Sequence, residues 1–242
     1  MIMKKKNFWG LILMGLMCIS LTACGGDDDG GSNSPSLDKT SLSLYVEETS
    51  ILKYSEGNCS WSSDNPLIAE VKDGVVTAKH VGITTIHANN LTCTVTVKPK
   101  YTSYAEPYMG WGSSKSVVKS MMSRYTLKSE DTTGLTYNGK GKVVGYVYLF
   151  ENASLKSSAM YVSLLNLYDV TDFLLERYVV YNTEKKSDTE YYVYMASVDG
   201  KMVIVMYVSS SGCIVMYGPV TSSSKARQDE VIKSQMKKIM IK

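Results

Sequence analysis

The chain has 242 residues, of which 44% are hydrophobic and 20% charged, so it holds enough apolar side chains to bury the cores of one or two domains. Its formal net charge of +3 comes from Lys4, Lys5 and Lys6, because residues 24–242 carry equal numbers of basic and acidic side chains. This balance excludes a strongly electropositive nucleic-acid binder, since neutralising phosphates requires a surplus of Lys and Arg.

The N-terminus has the parts of a signal peptide, with basic residues 1–6, an apolar run over residues 8–20 and Leu-Thr-Ala-Cys at residues 21–24. The apolar run is shorter than the roughly 20 residues that an ordinary membrane-spanning helix needs. Residues 21–24 resemble the lipobox of bacterial lipoproteins. This resemblance implies cleavage between Ala23 and Cys24 and acylation of the Cys24 thiol, with palmitate-type chains as the anchor. The alternative is a chance thiol beside a conventional cleavage site.

Residues 24–36 follow the predicted signal peptide of residues 1–23 and form a predicted flexible tether. After its first residue the segment contains only Gly, Ser, Asp, Asn and Pro, which cannot bury enough surface to offset the entropy of ordering. Asp27, Asp28 and Asp29 resemble the surface-export signal of Bacteroides-type lipoproteins. This resemblance implies a protein that faces the exterior from the outer membrane, whereas the alternative is an ordinary solvated linker.

Residues 37–98 show short alternating segments separated by turns, without a helical period, which predicts an all-β sandwich. Leu42, Leu44 and Val46 alternate with polar residues, which is the period of a half-buried strand. The Asp-Gly pair at residues 73–74 lies between two such runs. It predicts a hairpin, because Gly accepts a positive φ.

Six segments of this module occur in a distinctive order. They are Leu42-Ser-Leu, Trp61-Ser-Ser-Asp-Asn-Pro, Ile68-Ala-Glu-Val, Asp73-Gly-Val-Val-Thr-Ala-Lys, Gly82-Ile-Thr-Thr-Ile and Thr94-Val-Thr-Val. The module resembles the bacterial immunoglobulin-like group 2 (BIG2) domain, which implies an Ig-like spacer or adhesive module with Trp61 as a core anchor. Cys59 and Cys93 point to the core by parity, as packed thiols or as a disulfide. His80 and His87 lie too far apart in the pattern to predict a metal site.

Residues 99–107 form a predicted linker, and residues 108–242 change character, with helical and strand periods in turn. Ser113 or Ser114 can cap a helix that runs to about residue 125. The remaining predicted elements are a second helix at residues 170–177 and strands at residues 135–137, 142–150, 155–164, 190–196, 201–208 and 212–217.

The order of a helix followed by antiparallel strands occurs twice, which predicts an α+β module with helices on one face of a sheet. Residues 121–125 align with residues 174–178, and residues 142–148 align with residues 201–207. These alignments favour an internal duplication, and the alternative is chance similarity between amphipathic elements. The segment Trp-Gly-Ser-Ser-Lys-Ser-Val-Val-Lys-Ser-Met-Met at residues 111–122 resembles the first helix of β-lactamase-inhibitor-like (BLIP-like) and SmpA/OmlA proteins.

A C-terminal helix is predicted after residues 222–224, because Ile232, Met236, Ile239 and Met240 recur at helical spacing. Its basic C-terminal end complements the helix dipole. Docking onto the module and contact with a membrane are the two roles that this pattern leaves open.

Both faces of the predicted strands are apolar, and helices can cover only one of them. The opposite face would hold a share of the 16 tyrosines that follow residue 100. Tyr and Met suit interfaces because they bring large contact areas. We therefore expect a Tyr-rich concave binding surface that contains Tyr146, Tyr148, Tyr194 and Tyr207, and the alternative is a second core face.

The larger module lacks the residue pairs of nucleophilic catalysis. No histidine follows His87, so it has no Ser-His or Cys-His pair of its own. Cys213 has no cation nearby in the sequence to lower its pKa, and we expect it to be a strand residue. We therefore expect no catalytic residue, no metal and no cofactor.

These patterns together predict a lipid-anchored cell-envelope binding or adhesion protein of the outer membrane, and not an enzyme. A BIG2-like spacer would present the α+β recognition module to a protein or glycan ligand, with no nucleic acid as a partner. The main alternative is a structural or assembly factor that contacts outer-membrane proteins from the periplasm. The third is a glycan-acting enzyme, since two carboxylates from distant strands would suffice for glycoside hydrolysis.

Overall fold

The computed structural model describes residues 34–220, which are mostly β-sheet. The predicted cleavage site with Ala23 and Cys24, the three aspartates at residues 27–29 and the predicted C-terminal helix lie outside the described residues. From Pro35 onward the described chain belongs to one unit. No helix in this part of the chain combines the length and apolar character needed to cross a membrane.

Residues 41–98 form two sheets packed around one core. The strands are β1 (Ser41–Tyr45), β2 (Thr49–Ile51), β3 (Trp61–Ser63), β4 (Ala69–Lys72), β5 (Val75–Ala78), β6 (Gly82–Ala88) and β7 (Leu91–Lys98). One sheet has the order β1-β7-β6-β3, in which β1 runs parallel to β7, and the other has the antiparallel order β2-β5-β4. Aliphatic side chains from both sheets share the core, so the predicted two-sheet sandwich is confirmed.

The hairpin between β4 and β5 forms at the predicted Asp-Gly pair. Asp73 and Gly74 have φ angles of 50° and 78°, which is the left-handed conformation that two-residue hairpin turns need. A Cβ atom at Gly74 would lie 2.6 Å from the carbonyl oxygen of Leu52. Both the backbone conformation and the close packing therefore require glycine at this position.

Residues 115–219 form two helices and an eight-stranded antiparallel sheet. In chain order they are α1 (Lys115–Met121), β8 (Leu127–Glu130), β9 (Gly134–Asn138), β10 (Val143–Glu151), β11 (Ser154–Val162), α2 (Leu167–Leu175), β12 (Tyr178–Lys185), β13 (Tyr191–Ser197), β14 (Met202–Ser209) and β15 (Gly212–Pro219). The sheet order is β12-β13-β14-β15-β11-β10-β9-β8. Each helix is thus followed by a four-stranded meander, and the two meanders meet where β15 pairs with β11. That the two halves are copies of one unit stays a prediction.

The first helix is shorter than its predicted extent. Ser114 caps it, because its side chain accepts a hydrogen bond from the backbone N–H of Val117. Val118 and Met122 at its C-terminal end are buried, whereas Met121 is 58% exposed. A helix of about two turns presents one buried i, i+4 pair to the sheet, Val118 and Met122. The helix ends at this pair, because Met122 is its C-cap residue.

The eight-stranded sheet has two apolar faces, and α1 and α2 cover only one. On this helix-covered face, Val118 and Phe173 of the helices pack with Ile204 and Met206 of β14. The opposite side, here called the second face, consists of Val147, Ala159, Tyr192, Tyr194, Val203, Val205, Tyr207, Ile214 and Met216. Adjacent residues of β14 alternate between the two faces, as its sequence predicts.

Glu176 connects the end of α2 to the sandwich. Its carboxylate accepts hydrogen bonds from the backbone N–H groups of Lys100 at 2.8 Å and Tyr101 at 3.0 Å. Its backbone carbonyl accepts a third from the N–H of Val81 at 2.7 Å, and Arg177 lies 3.5 Å from the same carboxylate. The residue is buried, so water competes little with these bonds, and we call this contact the Glu176 joint.

Candidate functional site

The four tyrosines expected to form one open surface lie on two faces of the sheet. Tyr146 and Tyr148 belong to the core of the helix-covered face, whereas Tyr194 and Tyr207 belong to the second face. Their exposed fractions are 1%, 0%, 1% and 7% in that order. The expectation of a shared, solvent-open tyrosine surface is therefore corrected, because the structure neither brings the four rings together nor exposes them.

A β-bulge at the start of β10 interrupts the alternation of its side chains. The register of β10 against β11 shifts between Val143 and Gly145. As a result Val143 and Tyr146 lie on the same face, although strict alternation would place them on opposite faces. The sequence pattern assumes an unbroken period of two, and a shift of one residue moves every later side chain to the other side.

Tyr146 and Tyr148 hold the segment that precedes α1 against the sheet by hydrogen bonds. The hydroxyl of Tyr146 donates to the carbonyl of Ala105 at 2.9 Å, and the hydroxyl of Tyr148 accepts from the N–H of Tyr108 at 3.1 Å. Tyr148 also contacts the sulfur of Met122 at 2.9 Å. Burial raises the pKa of both phenols, so they stay protonated and serve as structural hydrogen-bonding groups.

The second face carries a row of stacked and tilted aromatic rings, here called the tyrosine row. It consists of Tyr181, Tyr194, Tyr192 and Tyr207, with centroid separations of 6.2, 6.2 and 4.7 Å along the row. The hydroxyl of Tyr194 donates to Glu184 at 3.0 Å, and that of Tyr207 donates to Glu190 at 3.2 Å. The row thus combines buried rings with hydroxyl groups that reach carboxylates near the β12–β13 turn.

A cleft of about 330 Å³ lies at the other end of the sheet, over strands β8 to β11, and is called here the β8–β11 cleft. Its volume falls within the range of roughly 300–1,000 Å³ that is typical of small-molecule sites. Its lining includes Lys128, Asp131, Thr136, Asn138, Leu149 and Tyr161. Sequence reasoning missed this cleft because its residues form no motif and come from four different strands and a turn.

The lining of the cleft combines charged, amide, hydroxyl and aromatic groups. Asp131 accepts hydrogen bonds from the N–H and the hydroxyl of Thr133, at 2.8 and 3.0 Å, which fixes its carboxylate in the turn before β9. Burial raises the pKa of Tyr161, so its phenol is protonated at neutral pH. Such a mixture of hydrogen-bonding side chains and a ring can orient a polar organic ligand by hydrogen bonds and stacking.

A half-buried glutamate on the helix-covered side, Glu106, was not among the residues that the sequence singles out. Glu106 accepts a hydrogen bond from the hydroxyl of Tyr178 at 2.6 Å, and Tyr217 lies beside it. Burial raises the pKa of Glu106, against the opposing effects of the Tyr178 hydrogen bond and the Arg177 charge. Its only sequence signal was one acidic residue in the short segment Tyr-Ala-Glu-Pro-Tyr at residues 104–108.

The two histidines and Cys213, which are the other candidates for catalysis or metal binding, lie in surroundings typical of structural residues. His80 Nδ1 lies 2.6 Å from the carbonyl of Leu67, and His87 Nε2 lies 2.8 Å from Asp64. Burial raises the pKa of the Cys213 thiol to about 12, so little thiolate forms there at neutral pH. In the described part of the chain, no three His, Cys, Asp or Glu side chains are grouped to hold a metal ion.

The sandwich keeps its two cysteines as thiols. Cys93 is buried in the core and Cys59 is half-buried just before β3. Burial raises the pKa of each thiol. Trp61 packs against the same core and lies close to Gly74, in the position of a packing residue.

Comparisons with known proteins yield no relative. A scan against models of protein families finds no match to the chain, and searches of curated proteins and of solved structures find none either.

Proposed function

We propose that the protein is a lipid-anchored binding protein of the cell envelope, in which an Ig-like BIG2 spacer presents a non-catalytic α+β recognition module. The anchor rests on Leu-Thr-Ala-Cys at residues 21–24, with Cys24 as the lipidated residue. The binding role rests on one structural observation, the β8–β11 cleft. The proposed partners are the outer membrane, through the lipid, and a ligand held in the cleft.

The architecture of the sandwich supports the BIG2 part of the proposal. The segments that carry the resemblance fall on strands and turns, since Trp61 begins β3 and Asp73-Gly74 forms the turn between β4 and β5. The closing segment at residues 94–97 lies within β7, the strand that pairs with both β1 and β6. A compact sandwich of this kind suits a spacer, because it sets a fixed distance between tether and recognition module.

The layout of the eight-stranded region supports the proposed duplication. Residues 121–125 lie at the end of α1, and residues 174–178 lie at the end of α2. Residues 142–148 and 201–207 fall at corresponding places, on the third strand of each meander. A sheet that is continuous across both halves supplies one long surface for recognition, with the cleft at one end.

A glycan is the ligand class that the lining of the cleft favours. Sugars present closely spaced hydroxyl groups, which pair with amide, hydroxyl and charged side chains, and C–H faces that pack on aromatic rings. Asn138, Thr136, Lys128 and Tyr161 supply these complementary groups.

Labelling with radioactive palmitate tests the anchor. The wild-type chain should incorporate label, and Cys24→Ala should lose it, because the acceptor thiol is gone. Cys18→Ala is the matched control, since this thiol lies inside the signal peptide and its loss should leave labelling intact. Label retained in Cys24→Ala would refute the anchor.

Protease treatment of intact cells tests the orientation. A surface-exposed chain should be degraded, and replacing Asp27, Asp28 and Asp29 by Asn should protect it by retaining it in the periplasm. If the wild-type chain survives on intact cells but is cleaved after the outer membrane is opened, the periplasmic assembly role is favoured instead.

A glycan array tests the ligand class with the mature chain. The double variant Lys128→Ala with Asn138→Ala should lower the affinity for any retained glycan about tenfold, which corresponds to roughly 1.4 kcal/mol. The control double variant, Lys72→Ala with Asn90→Ala, changes exposed residues of the sandwich and should bind normally. Equal binding by both variants would contradict the cleft, and release of new reducing ends from the glycan would favour the glycan-acting enzyme.

A further inference from the structure

The second face is buried although no helix of the described chain covers it. Val205 and Met216 near its centre are 0% exposed. Among residues 34–220, the hydrophobic side chains of this cluster all come from strands of the sheet, including the partly buried Leu149, Tyr161 and Tyr181. An open sheet with edge strands β12 and β8 does not close upon itself, so its face needs a separate cover.

We propose that residues 221–242 of the same chain dock across the second face and cover the tyrosine row. The proposal rests on other observations than the ligand proposed for the cleft, which adjoins the second face at Val147, Leu149 and Tyr161.

The described chain ends in the sheet that carries the second face. The described residues end at Val220, directly after β15, which is fourth of the eight strands in the sheet order. The cluster extends from β12 to β10, which is about 24 Å at the usual strand spacing of about 4.8 Å. The 22 residues after Val220 would span about 33 Å as a helix, which is enough to cross the cluster.

The composition of the segment fits an apolar face with acidic groups at its rim. Ile232, Met236, Ile239 and Met240 follow the i, i+4, i+7, i+8 pattern of a helix with one apolar side. The segment also carries six basic and two acidic side chains.

The rim of the second face has the complementary charge. The carboxylates of Glu184 and Glu190 lie beside the hydroxyl groups of Tyr194 and Tyr207, and Lys186 pairs with Glu184. A segment with a surplus of lysines would therefore find carboxylates near the β12–β13 turn and apolar side chains over the centre.

Carbodiimide cross-linking tests the contact in the mature chain, residues 24–242 with Cys24→Ser. We expect lysines of residues 221–242 to couple to Glu184 or Glu190. Equal amounts of ¹⁴N- and ¹⁵N-labelled chains are mixed first, and the linked peptides should be of one isotope. Links between isotopes would assign the face to a second copy of the chain, and links from the segment only to other surfaces would refute the docking.

A truncation after Val220 gives a second test, with the dye ANS as the probe of exposed apolar surface. The truncated chain should bind several times more ANS than the full chain. A synthetic peptide of residues 221–242 should reverse the increase at micromolar concentration. The control peptide, with Ile232, Met236 and Ile239 replaced by Ser, should not. Unchanged ANS binding, or equal action of both peptides, would overturn the proposal.

The full chain with the same three serine substitutions provides a third test, which does not depend on whether the truncated chain folds. If the segment covers the second face, backbone amide exchange in β13 to β15 should accelerate at least tenfold, while exchange in the sandwich stays constant. Unchanged exchange in β13 to β15 would contradict the proposal even if the truncated chain fails to fold.

Discussion

The two faces of the eight-stranded sheet use tyrosine differently. On the helix-covered face, the hydroxyl groups of Tyr148 and Tyr178 end inside the protein, at the N–H of Tyr108 and at Glu106. On the second face, the hydroxyl of Tyr194 reaches Glu184, whose side chain is 30% exposed. The tyrosine rings are buried on both faces, so the two faces differ in the surroundings of the hydroxyl groups.

The largest effect is expected for Tyr148→Ala on the helix-covered face. Removing a fully buried ring leaves a cavity and an unpaired N–H at Tyr108, and we expect a loss of about 3–5 kcal/mol in the free energy of unfolding. Tyr168→Ala is the control, because that ring is 87% exposed and its removal should change little. Urea unfolding measures both, and similar losses would contradict the assignment of Tyr148 to the core.

A smaller and more selective effect is expected for Tyr178→Phe. The variant keeps the ring but removes the donor to Glu106, and hydrogen bonds to charged groups contribute about 1.5–3 kcal/mol. The matched variant Tyr194→Phe removes a donor to a partly exposed carboxylate, so we expect a loss below about 1 kcal/mol. Thermal unfolding of both variants measures the two losses of stability, and a larger loss for Tyr194→Phe than for Tyr178→Phe would contradict the expected order.

The pH dependence of stability provides a test of Glu106 itself. Its pKa is raised in the folded protein, so the folded state binds the proton more tightly than the unfolded state, where the pKa is near 4.5. The stabilising contribution is complete below pH 4.5 and is lost as the pH rises through the folded pKa. Relative to Glu106→Gln, the wild-type protein should therefore lose stability as the pH is raised from 4.5 toward 7.

Parallel denaturation curves of the two proteins at several pH values measure this difference. The Gln variant keeps an oxygen that can accept the Tyr178 hydrogen bond, so the shape of the cluster should be retained. A difference that is constant with pH would show that Glu106 has the same pKa in the folded and unfolded states.

The smallest effect is expected for Ser158→Ala. The hydroxyl of Ser158 is buried and has no hydrogen-bond partner among the described residues, so its removal should be neutral or should stabilise by up to about 1 kcal/mol. Ser63→Ala is the contrasting control, because Ser63 donates to the carbonyl of Ala69 at 2.6 Å and should lose about 1 kcal/mol. A loss at Ser158 as large as that at Ser63 would mean that its hydroxyl is paired.

Features that depend on local periodicity could be predicted from the sequence. The hairpin at Asp73-Gly74 formed as expected because the turn conformation is determined by these two residues. The alternation along β14 also followed its sequence, since that strand pairs with both neighbours without a register shift. Strand β12 was not predicted, because its polar residues 182–185 weaken the apolar signal of Tyr178–Lys185.

The features that could not be predicted depend on contacts between distant parts of the chain. The bulge near Val143 arises in the pairing with β11, and nothing in the sequence of β10 alone predicts it. Glu106 and Tyr178 are 72 positions apart, so their hydrogen bond has no local signature. The cleft has the same origin, because Lys128 and Tyr161 come to line one cavity only when four strands are aligned.

If the chain is tethered as proposed, the Glu176 joint has a mechanical consequence. A force that pulls on the eight-stranded sheet reaches the sandwich directly through the hydrogen bond to Val81, and the bonds to Lys100 and Tyr101 hold the first residues of the connecting segment in place. Hydrogen bonds loaded in parallel share the tension, so the two regions resist separation better than a bare peptide connection would. In the proposed anchored protein, a force on a bound ligand would therefore be transmitted to the sandwich without first extending the connecting peptide.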